Sequence, residues 1–249
     1  MSYLASVRGR VLGAAVGAVV VACGLLVGGV SVAAVAAGTE ASVRMLSVQR
    51  VDGLHLNGAS SACLFVNDVR QAPGASFYHR HQPGAVYVAG GEVDLTIWQD
   101  GLGATDPGAT SQTSVLAAGD GAIIPTLWWH RHANRSLSAN EWYFLSQLPS
   151  SERACVNPPS SFLFRSASVQ LADGPSLLKL FTTTFGPGDS TAQAGPGFAE
   201  SVVLSGSVLV DGVAYSQGHG FLRTPGMVLQ MSSAVGAELV TYSIHPLRR

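Results

Sequence analysis

Gly74-Ala75-Ser76-Phe77-Tyr78-His79-Arg80-His81 places two histidines one residue apart at the end of a β-forming run. Side chains on a strand alternate between faces, so His79 and His81 share one face. Further along, Pro125-Thr126-Leu127-Trp128-Trp129-His130 ends on a third histidine. Neutral imidazole is the commonest protein ligand for divalent transition metals. A third ring from another strand can complete a facial set of ligands around one ion.

Outward from these clusters, short apolar runs alternate with glycine, proline and serine. Strands are expected at Val43–Val51, Ala62–Val66, Ala75–His81, Val86–Val88, Glu92–Trp98, Ser114–Leu116, Gly121–Ile124, Trp128–Ala133 and Glu141–Leu148. Turns fall at Pro73-Gly74, Pro83-Gly84, Gly90-Gly91, Asp106-Pro107-Gly108 and Gly119-Asp120-Gly121. The polar, glycine-rich segment Asp100–Gln112 reads as a surface loop. Strands of this length and spacing indicate a sandwich or barrel.

Composition agrees. Charged residues make up 12% of the 249, and glycines number 29. Long helices need charged, glycine-poor sequence, so the fold class expected is all-β. The net charge is −1 and Lys179 is the single lysine, which gives no basic surface for nucleic acid.

At the N-terminus, Arg8 and Arg10 precede an apolar run from Val11 to Gly38, broken only by Ser31. Residues 1–40 therefore read as a signal peptide or a transmembrane anchor. Ala34-Val35-Ala36 would serve as a cleavage site. The run is nevertheless long enough to cross a bilayer as a helix, for which about 20 residues suffice. The arginines would then stay inside and the folded part outside. Val20-Val21-Ala22-Cys23 loosely resembles a lipobox, which adds a lipoprotein as a third reading. Each places the body outside the cytoplasm, membrane-anchored or secreted. There Cys63 and Cys155, which bracket the histidine segment, read as a disulfide staple, with two buried free thiols as the alternative.

Ser150–Ser161, with Pro158 and Pro159, reads as a linker. Beyond it the pattern restarts. Leu177–Thr184, Ser201–Leu204, Ser207–Val210, Gly220–Leu222, Met227–Met231 and Glu238–Ile244 are the expected strands. Tyr87–Leu95 compares with Val202–Val210, and Pro125–His130 with Pro225–Gln230, as a diverged internal repeat. Two domains follow, at 41–150 and 151–249.

These residues resemble the cupin superfamily. Its first motif is a glycine, His-x-His, a glutamate and a closing glycine; Gly74, His79, His81 and Gly91 occupy it, with four residues rather than five before His79. Its second motif is a glycine, Pro-x-Gly, a histidine and an asparagine; Gly119, Pro125, His130 and Asn134 match, and Leu127 replaces the glycine after the proline. The resemblance implies two tandem jelly-roll barrels, a bicupin. It also implies that His79, His81 and His130 hold a divalent metal at the open end of the first barrel.

The departures from the family pattern matter. The glutamate position is read as Ala85, which has no donor atom. Three neutral nitrogens without a carboxylate weaken binding of hard ions such as Mn²⁺ and suit Fe²⁺, with Zn²⁺, Cu²⁺ and Ni²⁺ as further options. Some cupin dioxygenases use such a three-histidine site. In the second copy the corresponding positions are read as Thr191, Gln193, Glu200 and Gln230, a poor site for a transition metal.

His132, one residue beyond His130, is the candidate for moving protons or supporting a ligand, with a polar rim residue as the plainer reading. By parity Trp128 and Tyr87 are expected to face inward and line a small-molecule pocket, with core packing as the equal alternative, and Arg80 and Arg131 to face solvent. Asn134-Arg135-Ser136 also forms an N-glycosylation triplet. The function expected is that of a metal-dependent oxygenase acting on a small organic substrate. The alternative is a non-catalytic envelope or secreted protein that holds a metal or small ligand. Expected partners are that small molecule, the membrane if the N-terminal helix is uncleaved, and a second copy in a homodimer.

Overall fold

The computed structural model describes residues 39–171 and 173–247. Residues 1–38 of the expected signal or anchor lie outside the described residues. Among the described residues no helix is long and apolar enough to cross a membrane.

The chain is nearly all β. The N-terminal half contains β1 (Ser42–Val51), β2 (Ser61–Gln71), β3 (Ser76–His79), β4 (Gly84–Gly90), β5 (Glu92–Trp98), β6 (Ser111–Ala117), β7 (Gly121–Ile124), β8 (His130–Ala133) and β9 (Asn140–Pro149). A single helical turn, α1 (Arg153–Val156), follows, and then β10 (Phe162–Arg165) and β11 (Val169–Gln170). The C-terminal half contains β12 (Ser176–Phe185), β13 (Ser190–Gln193), β14 (Phe198–Val210), β15 (Val213–Ser216), β16 (Gly220–Arg223), β17 (Leu229–Ser232) and β18 (Ala237–Pro246). The two runs expected at Ser201–Leu204 and Ser207–Val210 are one strand, β14, whose register against β18 shifts between Val203 and Ser205. That irregularity lets one strand serve two parts of its sheet.

Three antiparallel sheets result. One runs β10-β2-β9-β4-β7, with β11 also on β2; a second runs β3-β8-β5-β6. The third runs β1-β12-β18-β14-β17-β13, with β15 and β16 on β14. Strands from each half complete the other's sheet. β1 pairs with β12, from Ser42 opposite Thr184 to Val51 opposite Ser176, and β10 and β11 pair with β2.

Alternation sorts the apolar side chains into three cores. Val86, Val88, Val93, Leu95, Ile124 and Trp142 fill the space between the two N-terminal sheets. Val203, Val210, Phe221, Leu229, Met231 and Leu239 fill the C-terminal half. The opposite faces pack the halves together: Leu64, Ala85, Tyr87 and Leu145 meet Leu180, Val202, Val240 and Tyr242. Full burial of a side chain such as Leu145 or Val240 is worth about 1.5–3 kcal/mol. Cys63 and Cys155 form a disulfide, with Cα atoms 6.0 Å apart, that ties β2 to α1.

Candidate metal centre

The histidines meet because of strand register. β3 pairs with β8 so that His79 lies opposite His130 and Phe77 opposite His132. On its other side β8 pairs with β5, His130 opposite Ile97 and His132 opposite Leu95. His130 and His132 therefore share the inward face with Leu95, and both are fully buried. His81 lies past the end of β3, where strand parity no longer places it. A hydrogen bond from the Leu127 N–H to the His81 carbonyl, 2.9 Å, fastens its loop to the turn before His130. Leu127, at the position where the family pattern has glycine, adopts φ 57°.

The ring centroids of His79 and His81 both approach that of His130, at 4.4 and 4.5 Å, and lie 5.2 Å from each other. One nitrogen from each ring lies within 4.8 Å of the others. Two nitrogens bound to one ion at about 2.1 Å are at most about 4.2 Å apart, so small ring rotations suffice for coordination. The hydrogen bonding suits that role. His130 Nδ1 donates to the Trp128 carbonyl at 2.9 Å, and His81 Nδ1 to the Gln82 carbonyl at 2.5 Å. Each bond leaves Nε2 with the free lone pair, the usual way a backbone carbonyl orients a ligating imidazole. His130 Nε2 is buried and has no partner.

Burial keeps the rings neutral. Desolvation lowers the pKa of His79. It takes His81 to about 4, with a smaller contribution from His79. It takes His130 to about 3, helped by His81 and His79. His132 is pushed well below the usual imidazole range by burial and by the other three histidines. Neutral imidazole is the metal-binding form, so the donor set fits a divalent cation.

The neighbouring pocket is lined by Asn67, Val69, Phe77, Trp142 and Phe144 beside the imidazoles. Trp142 stacks on His132, centroids 4.5 Å apart, and Phe144 lies 4.5 Å from His81. These aromatics come from the inward phase of β9, a period-two pattern present in Asn140-x-Trp142-x-Phe144. They stand where Trp128 and Tyr87 were expected. Tyr87 instead packs in the core between the halves, and Trp128 sits in the turn before β8. Trp129 stacks on Tyr78 outside the site, with the Arg80 guanidinium over it. Arg131 lies over Trp98, so neither arginine is simply solvated.

Ala85 also turns away, into the core between the halves. The β4 residue on the site's face is Gly84, where a Cβ would come within 2.6 Å of the Phe144 ring and 2.9 Å of the Leu145 carbonyl oxygen. Phe144 thus fills the space that a side chain from this strand would need. Glu200 follows Ala85: it is fully buried, on the face that packs the halves together, and neither carboxylate oxygen has a partner. Burial raises its pKa well above the usual range. Gln193 faces into the C-terminal half, whereas Gln230 is exposed and lies outside any inward set. Asn134 is 1% exposed and fully engaged. Its amide donates to the Gln71 and Ser138 carbonyls and its oxygen accepts from Ser136, so it braces the end of β8 rather than presenting a glycosylation site.

Scanned against protein-family models and against curated proteins, the sequence matches none. The structure does find neighbours. It is similar to Lactobacillus farciminis oxalate decarboxylase in its formate complex, at 10% identity, covering 84% of this chain and 85% of that one, TM-score 0.54. It is similar to Bacillus subtilis oxalate decarboxylase, at 14% identity, 84% and 72% coverage and TM-score 0.52. Escherichia coli pirin YhhW in complex with nickel(II) aligns at 12% identity, 83% and 100% coverage and TM-score 0.50.

Proposed function

From the cupin fold that this chain shares with those neighbours, we propose that His79, His81 and His130 hold a divalent transition metal, Fe²⁺ before Zn²⁺, Cu²⁺, Ni²⁺ or Mn²⁺. The observation that carries the reading is the orphaned, carbonyl-oriented Nε2 of His130 beside two further neutral rings. The activity proposed is oxygenation of a small organic molecule outside the cytoplasm. A bound ion supplies Lewis acidity and open positions for small ligands. The chain supplies the rest. Phe77, Trp142 and Phe144 give an apolar wall that orients an aromatic or aliphatic body. Asn67 offers a polar contact at the same pocket. His132 is the one titratable side chain lining it besides His79 and His81, so it would hold or move a proton at Nδ1 or Nε2; burial makes it a weak base. The Cys63–Cys155 disulfide favours an oxidising setting, in keeping with a leader or membrane anchor at the N-terminus. Half-boundaries near residue 150 and a homodimer belong to the same proposal.

A second reading, a binding protein without turnover, is favoured by one feature: no carboxylate lines the pocket. Purified full-length chain loaded with Fe²⁺ and offered aromatic and thiol substrates separates the two. Oxygen consumption that His130→Ala abolishes supports the oxygenase. Stoichiometric metal with ligand binding and no consumption supports the binder. Absence of bound metal after loading overturns both.

A further inference from the structure

A row of directly paired residues crosses the sheet of the C-terminal half: Lys179 on β12, Ser243 on β18, Ala199 on β14 and Arg223 on β16. Paired residues on neighbouring strands share a face. Lys179 and Arg223 therefore stand on the same side, three strands and roughly 14 Å apart, with two small side chains between them. His245 shares that face, two residues beyond Ser243, and its Nε2 lies 3.0 Å from Ser243 Oγ. Gln193 closes the pocket from β13, and Met45 and Phe181 supply apolar wall, around a volume of about 180 Å³.

The charge of this pocket is unbalanced. No carboxylate lines it, and none of the ion pairs among the described residues involves Lys179 or Arg223. Arg223 is 2% exposed. Its Nη1 donates to the Gly195 carbonyl at 2.7 Å, while Nε has no partner. Gln193 Oε1 is buried without a partner as well. Burial, then Lys179 and Arg223, lowers the pKa of His245, as expected beside uncompensated positive charge. A buried cation without a counter-ion is strongly unfavourable unless something anionic meets it. The planar guanidinium matches a carboxylate, and the apolar walls suit an organic body better than a fully hydrated phosphate dianion.

We propose that this pocket binds a small organic carboxylate, with Arg223 as its main partner, Lys179 at the mouth and Phe181 and Met45 against its apolar part. The site lies in the half without the histidine cluster and does not depend on the metal proposal.

Calorimetry on the full chain, treated with chelator to remove metal, tests it with benzoate, neutral benzamide and inorganic phosphate as probes. Benzoate is expected to bind, benzamide not, and phosphate more weakly than benzoate. Arg223→Gln should cut benzoate affinity at least about tenfold and Lys179→Gln several-fold. Met45→Glu, at an exposed wall position, should weaken it by repulsion; this variant and Lys179→Gln carry the test if Arg223→Gln does not fold. No benzoate binding, equal binding of benzamide, tighter binding of phosphate, or benzoate affinity unchanged in both Lys179→Gln and Met45→Glu each overturns the proposal.

Discussion

His79 and His130 are direct cross-strand partners, opposite one another in the β3–β8 ladder with ring centroids 4.4 Å apart. The pairing makes two of the three imidazoles a property of the sheet itself, and only His81 depends on a loop. His79→Ala or His130→Ala should therefore each lower zinc or iron affinity by well over tenfold. The strand pairing should persist, read as unchanged far-UV circular dichroism beside metal stoichiometry by elemental analysis. Retained stoichiometry in His130→Ala would rule out the three-histidine set.

Glu200 is fully buried between Leu222 and Tyr242 in the ladder, with no hydrogen-bond partner for either carboxylate oxygen, and burial raises its pKa. The folded state therefore keeps its proton above pH 4.5, the ordinary value, where the unfolded chain has released it. The folded state binds more protons, so Glu200 costs increasing stability as pH rises above that value. Glu200→Gln should be more stable than wild type at neutral pH by about 1–3 kcal/mol, with a gap that narrows on acidification. Urea unfolding across this range measures it, and a pH-independent gap contradicts the protonated assignment.

The histidines act with the opposite sign. Between the ordinary value of 6.5 and about 4 for His81 or about 3 for His130, the unfolded chain takes up protons that the folded chain refuses. Stability of the metal-free protein should fall as pH drops through this window and be flat above it. Denaturation in the Glu200→Gln background isolates the effect from the buried carboxyl, and a level profile across the window counts against buried neutral rings.

Leu127 holds φ 57°, a left-handed conformation that costs a residue with a Cβ about 1–2 kcal/mol. Leu127→Gly should relieve it. After the greater entropy that glycine loses on folding, a net gain of up to about 1 kcal/mol is expected, seen as a higher melting temperature with metal affinity retained. Loss of stability would show that the leucine side chain contributes more than the backbone strain costs.

The Cys63–Cys155 bond closes a separation of 92 residues. Cys63→Ala with Cys155→Ala should cost about 2–4 kcal/mol. It should leave metal stoichiometry intact at temperatures where the fold survives, because β2 and α1 carry none of the three imidazoles proposed as ligands. Parallel loss of metal and stability would instead make the staple part of the site.

Much of this was legible in the residues. The His-x-His spacing paired His79 with His81 and the family resemblance added His130, and most strands lie near where alternation puts them. Facing was lost wherever parity was counted across an irregular segment. The chain turns at Gln82 and Pro83, which resets the phase of β4; Ala85 and Tyr87 therefore face the core between the halves, and Gly84 faces the histidines. Leu229 and Met231 turn into the C-terminal core, so Gln230 between them faces out, and matching Pro225–Gln230 to Pro125–His130 could not show that. Trp142 and Phe144 had the right period, but only the pairing of β9 with β2 and β4 sets which face they take. The pairing of β1 with β12 and of β10 with β2 joins segments far apart in sequence, and no local pattern encodes such choices.

That exchange bears on how the protein comes into being. While the chain emerges from the ribosome, β1 has no ladder to join until β12 has been made, and the edge of β2 waits for β10. The nascent N-terminal portion therefore carries unpaired backbone on two strands at once, the kind of surface that invites wrong partners. Such long-range closure slows folding, so full-length synthesis, and protection until it is done, become conditions for a working molecule.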